Sequence, residues 1–274
     1  MRRVALLYLC LLMGLSTFAN TPKDGFIVKK DGMYGVFDKM GNQIVPCLYT
    51  EIKYDKDMNI YFVTDNNQKR GIYDRMGNQI IPCSYKEIMY DKEMNIYFVA
   101  DREQKRGIYD RMGNQIIPCS YKEITYDKGK NIYLVADREQ KRGIYDRMGN
   151  RIIRCSYKEI TYDESLNAFF VADKEERKGI YDRMGNQIIP CSYKEIMYDK
   201  EMNIYFVADR EQKRGIYDRM GNQIIPCSYK EITYDKALNA FYVADNIQKK
   251  GIYDRMGNQI IPCSYKEITY DKNL

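Results

Sequence analysis

The chain of 274 residues contains no tryptophan and no histidine. Without histidine it has no side chain that ordinarily titrates near neutrality, so general acid-base catalysis loses its commonest agent. A zinc site loses its usual nitrogen ligand as well. Also missing are a C-x-x-C spacing, a glycine-rich phosphate loop ahead of a helix, and a serine or cysteine in a nucleophile motif. No stretch of ten or more residues carries apolar side chains at helical spacing. Charge of one sign is scarce too: charged residues make up 30% of the chain, acids and bases are interleaved, and the formal net charge is +6. Removing Arg2 and Arg3 with a leader leaves about +4 over about 250 residues. A nucleic-acid groove gathers Lys and Arg on one face, so no nucleic-acid partner is expected.

The amino terminus reads Met-Arg-Arg, then an apolar core from Val4 to Phe18, then Thr17-Phe18-Ala19 with small residues where a signal peptidase reads. This predicts a signal peptide over residues 1–19 cleaved after Ala19, a short linker over 20–25, and a single repeat domain over 26–274. The apolar stretch of about 15 residues is short of the roughly 20 needed to span a bilayer. The mature chain is therefore expected to be secreted or to sit in the periplasm or cell envelope, with no membrane span. Cys10 does not suit lipid attachment, because Leu9 stands where a small residue is needed and the preceding run is short.

What the chain has in abundance is tyrosine, 27 copies, and internal repetition. Gly-Ile-Tyr-Asp-Arg-Met-Gly-Asn begins at Gly71, Gly107, Gly143, Gly179, Gly215 and Gly251, each 36 residues after the last, and a looser copy begins at Gly35. Seven units result. Residues 71–106 and 179–214 are identical throughout, the mark of recent duplication, so the units must share one local structure.

Within the unit from Asn95, the run Asn-Ile-Tyr-Phe-Val-Ala-Asp is β-branched and aromatic and reads as a strand. Gly107-Ile108-Tyr109-Asp110 reads as a second. Gln115-Ile116-Ile117-Pro118 is a third, closed by a proline that cannot donate to a ladder. Glu123-Ile124-Thr125-Tyr126 is the fourth. The joint Arg111-Met112-Gly113-Asn114 reads as a hairpin turn with Gly113 at positive φ.

These signals predict an all-β protein of seven tandem four-stranded meanders. Such units match propeller blades, although 36 residues is short beside the usual 40 or more. The last unit copies the internal ones and carries no polar cap, which favours a closed toroid over an open β-solenoid or superhelix. Against closure, the chain starts and stops at one phase of the repeat, so no strand is expected to pass between the ends.

The segment Lys-Arg-Gly-Ile-Tyr-Asp-Arg-Met-Gly-Asn-Gln-Ile-Ile-Pro-Cys-Ser-Tyr-Lys-Glu-Ile resembles the units of the bacterial WG-repeat family in its glycines, its Asp, its Ile-Pro step and its Tyr. The resemblance covers roughly residues 26 to 273. At the namesake Trp the chain departs: Tyr34 stands there in the first unit, and Arg70, Arg106, Arg142, Lys178, Arg214 and Lys250 in the others. The family implies a repeat or interaction protein of the envelope, and a role for the missing Trp does not carry over. Its variable repeat number tells against a closed ring.

Seven cysteines, Cys47, Cys83, Cys119, Cys155, Cys191, Cys227 and Cys263, fill one position per unit. An odd count and the separation of units of several strands argue against bridges between neighbours, whose Cα atoms would have to lie about 5.5 Å apart. A small buried apolar residue is the expected role, with an intermolecular disulfide through an exposed copy as the alternative. The Asp110 to Asn114 loop lacks the alternating oxygens and distal Glu of a calcium loop, so neither metal nor cofactor is expected.

Two features are candidates for a binding surface. The strand-end pairs Tyr90 and Asp91, Tyr126 and Asp127, Tyr198 and Asp199, and Tyr234 and Asp235 could stack on a sugar ring and accept from its hydroxyls, or could be half-buried strand ends. The charged loops, with Arg102, Arg106, Arg210 and Arg214, could dock a protein or stand as solvated hairpin tips. Because nearly every Asp, Glu, Lys and Tyr is copied, a single asymmetric active site is not expected. The reading is a non-catalytic scaffold at the cell surface for multivalent binding of protein or polysaccharide, with a structural spacer as the alternative.

Overall fold

The computed structural model describes residues 25–271; the expected signal peptide and nearly all of the linker lie outside the described residues. The chain divides into two compact units, Met1–Gln104 with Ile108–Gln115, and Lys105–Gly107 with Ile116–Leu274.

Strands and turns fill both units, with no helix among the described residues. The first sheet has three strands in the order β1 (Gly25–Lys30), β2 (Met33–Asp38) and β3 (Gln43–Tyr49). The second has four, β4 (Glu51–Asp55), β5 (Ile60–Thr64), β6 (Arg70–Asp74) and β7 (Gln79–Tyr85), as an antiparallel meander. Five further four-stranded sheets open at Glu87, Glu123, Glu159, Glu195 and Glu231. The all-β tandem meander is as the sequence predicts.

Its phase is not. The Glu-Ile-x-Tyr-Asp run, read from sequence as the last strand of a unit, is the first strand of the next sheet. Only Lys194 separates the strand ending at Tyr193 from the one beginning at Glu195, and its N–H already donates to Ala208 O, 2.8 Å away, within the next sheet. Among the described residues the first sheet accordingly has three strands and the other six have four.

The second strand of each sheet explains the apolar run that marks it. In Ile204–Ala208, Tyr205 and Val207 pack back on Ile180 and Ile189 of the preceding sheet. Ile204 and Phe206 pack forward on Phe241 and Val243 of the following one. Side chains alternate across a strand, so a strand covered on both faces has no polar position left. Each large side chain so buried contributes about 1.5 to 3 kcal/mol.

The prolines do not end their strands. Gln187–Tyr193 runs through Pro190, and its ladder jumps from Ile180↔Ile189 to Lys178↔Tyr193, leaving residues 190–192 in a bulge. A bulge leaves residues unpaired, so proline's missing N–H costs no ladder bond. Arg154 occupies the same place in a strand of the same length, so the bulge does not depend on proline. Across the bulge, a Cβ on Gly179 would lie 2.8 Å from Cys191 Cα, which is why this position takes glycine.

The turn reading holds: Gly113 has φ +90°. The cysteines are half-buried and not fully buried, and none of the seven is bridged. The bulge turns Cys191 Sγ toward Arg177 O, 2.8 Å away, and burial pushes its thiol pKa up.

Candidate functional site

An antiparallel meander places its turns alternately at two ends of the sheet. The turn after the first strand and the turn after the third share one end. The loop after the second strand lies at the other. The twelve candidate residues are thereby split: the Tyr-Asp pairs close first strands at one end, and the arginines flank the charged loops at the opposite end.

The Tyr-Asp pairs are spent on their own turns. Each tyrosine is half-buried and donates to an asparagine side chain at 2.5 Å: Tyr90 to Asn95, Tyr126 to Asn131, Tyr198 to Asn203 and Tyr234 to Asn239. Those asparagines have φ between +50° and +60°, a conformation that Asn tolerates better than most residues. The rings also pack on the next strand, Tyr90 on Tyr97 and Tyr234 on Phe241, each with centroids 5.0 Å apart. The carboxylates accept turn amides. Asp91 takes Glu93 N–H and Met94 N–H at 2.9 and 3.0 Å, Asp199 takes Met202 N–H at 2.9 Å, and Asp235 takes Ala237 N–H and Leu238 N–H at 2.8 and 3.1 Å. Asp127 also accepts Lys130 Nζ at 2.9 Å, and that bond holds its carboxyl below the usual range.

At the opposite end the charged loops reach back to the loop before them. Arg102 donates to Asn67 O, Arg210 donates to Glu175 O at 2.5 Å, and Lys174 pairs with Glu139 at 3.0 Å. Hydrogen bonds from Lys141 and Lys174 draw the exposed Glu139 carboxyl down to about 2. Arg106 and Arg214 open their third strands with exposed side chains. Among the described residues no group of three or more His, Cys, Asp or Glu is placed to hold a metal.

The turn after the third strand carries what the sequence reading passed over. Met40, Met76, Met112, Met148, Met184, Met220 and Met256 are each 80 to 85% exposed. The backbone around them is rigidly held: Asp182 Oδ1 accepts Met184 N–H and Asn186 N–H, both at 2.8 Å, and its Oδ2 accepts Asn186 Nδ2 at 2.7 Å. Beside Met184, a shallow cleft of about 310 Å³ is lined by Asn167, Asp182, Arg183 and Arg219. Arg183 also donates to Lys130 O at 3.4 Å. The signal was available in the sequence: a methionine at one position of a polar turn in all seven copies has no core to fill.

Four segments of the chain, residues 34–68, 71–100, 107–135 and 179–208, match the family model of the WG containing repeat. No curated protein matches. Among solved structures, the chain is similar to the WD40 beta propeller domain of Doa1, at 9% identity and a TM-score of 0.24 over 81% of this chain and 86% of that one. It is also similar to the C-terminal WD40 domain of Sif2, at 11% identity and a TM-score of 0.23 over 84% and 77%. For the computationally designed Ika4 protein the identity is 11% and the TM-score 0.23, over 48% of this chain and 88% of that one.

Proposed function

Since the chain belongs to the WG-repeat family, we propose that it is an exported, non-catalytic scaffold that binds a partner protein multivalently through its methionine turns. The carrying observation is the exposure of Met184 and its six counterparts on turns fixed by an aspartate. An exposed apolar side chain repeated at one position is not needed for packing. Methionine is polarizable and adapts to varied apolar partners, and the neighbouring arginines add donors for carboxylates. Each contact is weak alone, and linked copies raise the overall affinity.

A protein ligand is favoured over a glycan because the Tyr-Asp pairs, the groups best suited to a sugar, already satisfy their own turns. One observation favours a spacer role instead: the loop-to-loop bonds from Arg210 to Glu175 and from Lys174 to Glu139 stiffen the array.

The test is a binding screen against envelope proteins and glycans, run with the intact chain and with a variant carrying Gln at all seven turn methionines. Protein binding that the variant loses, and that strengthens with repeat number, is the expected result. Glycan binding that survives the variant, or no binding by either form, overturns the reading.

A further inference from the structure

The fold sorts the sulfur atoms of the described residues by access. The seven turn methionines are 80 to 85% exposed, whereas Met89 and Met197, in the first strands of their sheets, are 48% and 68% exposed. Met33, Met58, Met94 and Met202 are half-buried, and Met202 packs on the core around Phe241 and Val243. The thiols are half-buried as well. Those of Cys83, Cys155, Cys191 and Cys227 donate to Lys69 O, Lys141 O, Arg177 O and Lys213 O at 2.8 to 2.9 Å.

This arrangement reverses the usual order of sulfur reactivity. A cysteine attacks an oxidant as its thiolate, and here burial pushes those four thiols up while a carbonyl holds each proton. Little thiolate forms near neutrality. A thioether has no proton to lose, so its oxidation follows exposure.

We propose that the seven turn methionines are a modification site for hydroperoxides, converted to sulfoxides ahead of every other sulfur among the described residues and with the fold kept. In each step the thioether lone pair attacks one peroxide oxygen, the O–O bond breaks and an S–O bond forms. The departing hydroxide takes the proton from the new S–OH and leaves as water. Sulfur gives up two electrons and the peroxide accepts them. The fold is kept because Asp182 holds the turn through the N–H groups of Met184 and Asn186, which the sulfur does not touch. The product is polar where the thioether was apolar. Loss of docking on oxidation rests on the scaffold reading above, and the modification itself does not.

The experiment treats the full chain with hydrogen peroxide at pH 7 and follows it by tryptic mass mapping, circular dichroism and retention on a phenyl matrix. Trypsin releases Met-Gly-Asn-Gln-Ile-Ile-Pro-Cys-Ser-Tyr-Lys from five units, so one peptide reports a turn methionine and a cysteine together. Met94 and Met202 appear in Glu-Met-Asn-Ile-Tyr-Phe-Val-Ala-Asp-Arg. The turn methionine should gain one oxygen on the order of tenfold faster than Met94 and Met202, with its peptide's cysteine unchanged. Retention should fall while the melting curve stays in place, and sulfoxide reductases with a dithiol should restore retention. Oxygen first on cysteine, equal rates for Met94 and Met202, or unfolding that accompanies oxidation overturns the proposal. A chain that oxidises as expected yet finds no partner in the binding screen sinks the docking reading alone.

Discussion

The hydroxyls of Tyr193 and Tyr217 lie 2.7 Å apart and join the end of one sheet's last strand to the third strand of the next. Both residues are 7% exposed, and their rings meet edge to face with centroids 5.9 Å apart. Equivalent bonds link Tyr49 to Tyr73, Tyr121 to Tyr145, Tyr157 to Tyr181, and Tyr229 to Tyr253. Tyrosine at these two positions thus serves as core and as the polar link between sheets.

Removing one hydroxyl of a pair strands the other in an apolar setting. Tyr217→Phe should therefore destabilise the chain by about 1 to 3 kcal/mol, whereas the double change with Tyr193→Phe leaves nothing unsatisfied and should recover much of that loss. Denaturant melts of the two single variants and the double variant measure this. A double variant as unstable as the sum of the singles refutes the pairing.

The same pairs predict alkaline sensitivity. Burial first, and then the bond to Tyr217, raise Tyr193 far above its ordinary value of 10.0. A folded-state pKa above the unfolded one contributes stability that is complete below the unfolded value and is lost as pH rises through the folded one. Stability should hold to about pH 10 and fall above it, with the buried phenols ionising only as the chain unfolds. Phenolate absorbance followed beside circular dichroism shows whether the two events coincide.

Glycine substitutions should rank by what the added methyl meets. Gly257→Ala adds a methyl against Ile224 O at a φ of +92°, and Gly179→Ala adds one against the Cys191 backbone. Each should cost about 1 to 3 kcal/mol through overpacking. Gly41→Ala suffers the strain of φ +84° but meets no neighbour, so its loss should be the smallest. Thermal melts of the three variants give the order.

Acid should act through Asp254. The side-chain bond from Asn258, followed by its backbone N–H, lowers the Asp254 carboxyl from its ordinary 3.8. A lowered folded-state pKa gives stability that is present above the unfolded value and lost as pH falls through the folded one. The stability that Asp254 contributes should thus fall below about pH 4. Asp254→Asn should melt lower at neutral pH and lose less on acidification. A melting temperature independent of pH in both forms rules this out.

The sequence by itself determined the repeat, its period and its all-β character, because these reside in local patterns: β-branched and aromatic runs, and a glycine that the turn requires. It also displayed the seven turn methionines, whose meaning needed only the observation that a polar turn has no core to fill.

Tertiary structure decided which runs share a sheet. Glu195–Asp199 follows Tyr193 after a single residue, yet its ladder bonds go to Ile204–Ala208. The pairing is a hairpin, with Asp199 opposite Ile204, so what the order of runs left open was where one sheet stops and the next begins. Tertiary structure likewise decided that Pro190 rides in a bulge and that the two hydroxyls of Tyr193 and Tyr217 meet. Both depend on strands brought together by folding: residues 190–192 have no ladder partner, so proline is tolerated there, and a buried hydroxyl must find its partner where the packed sheets place one.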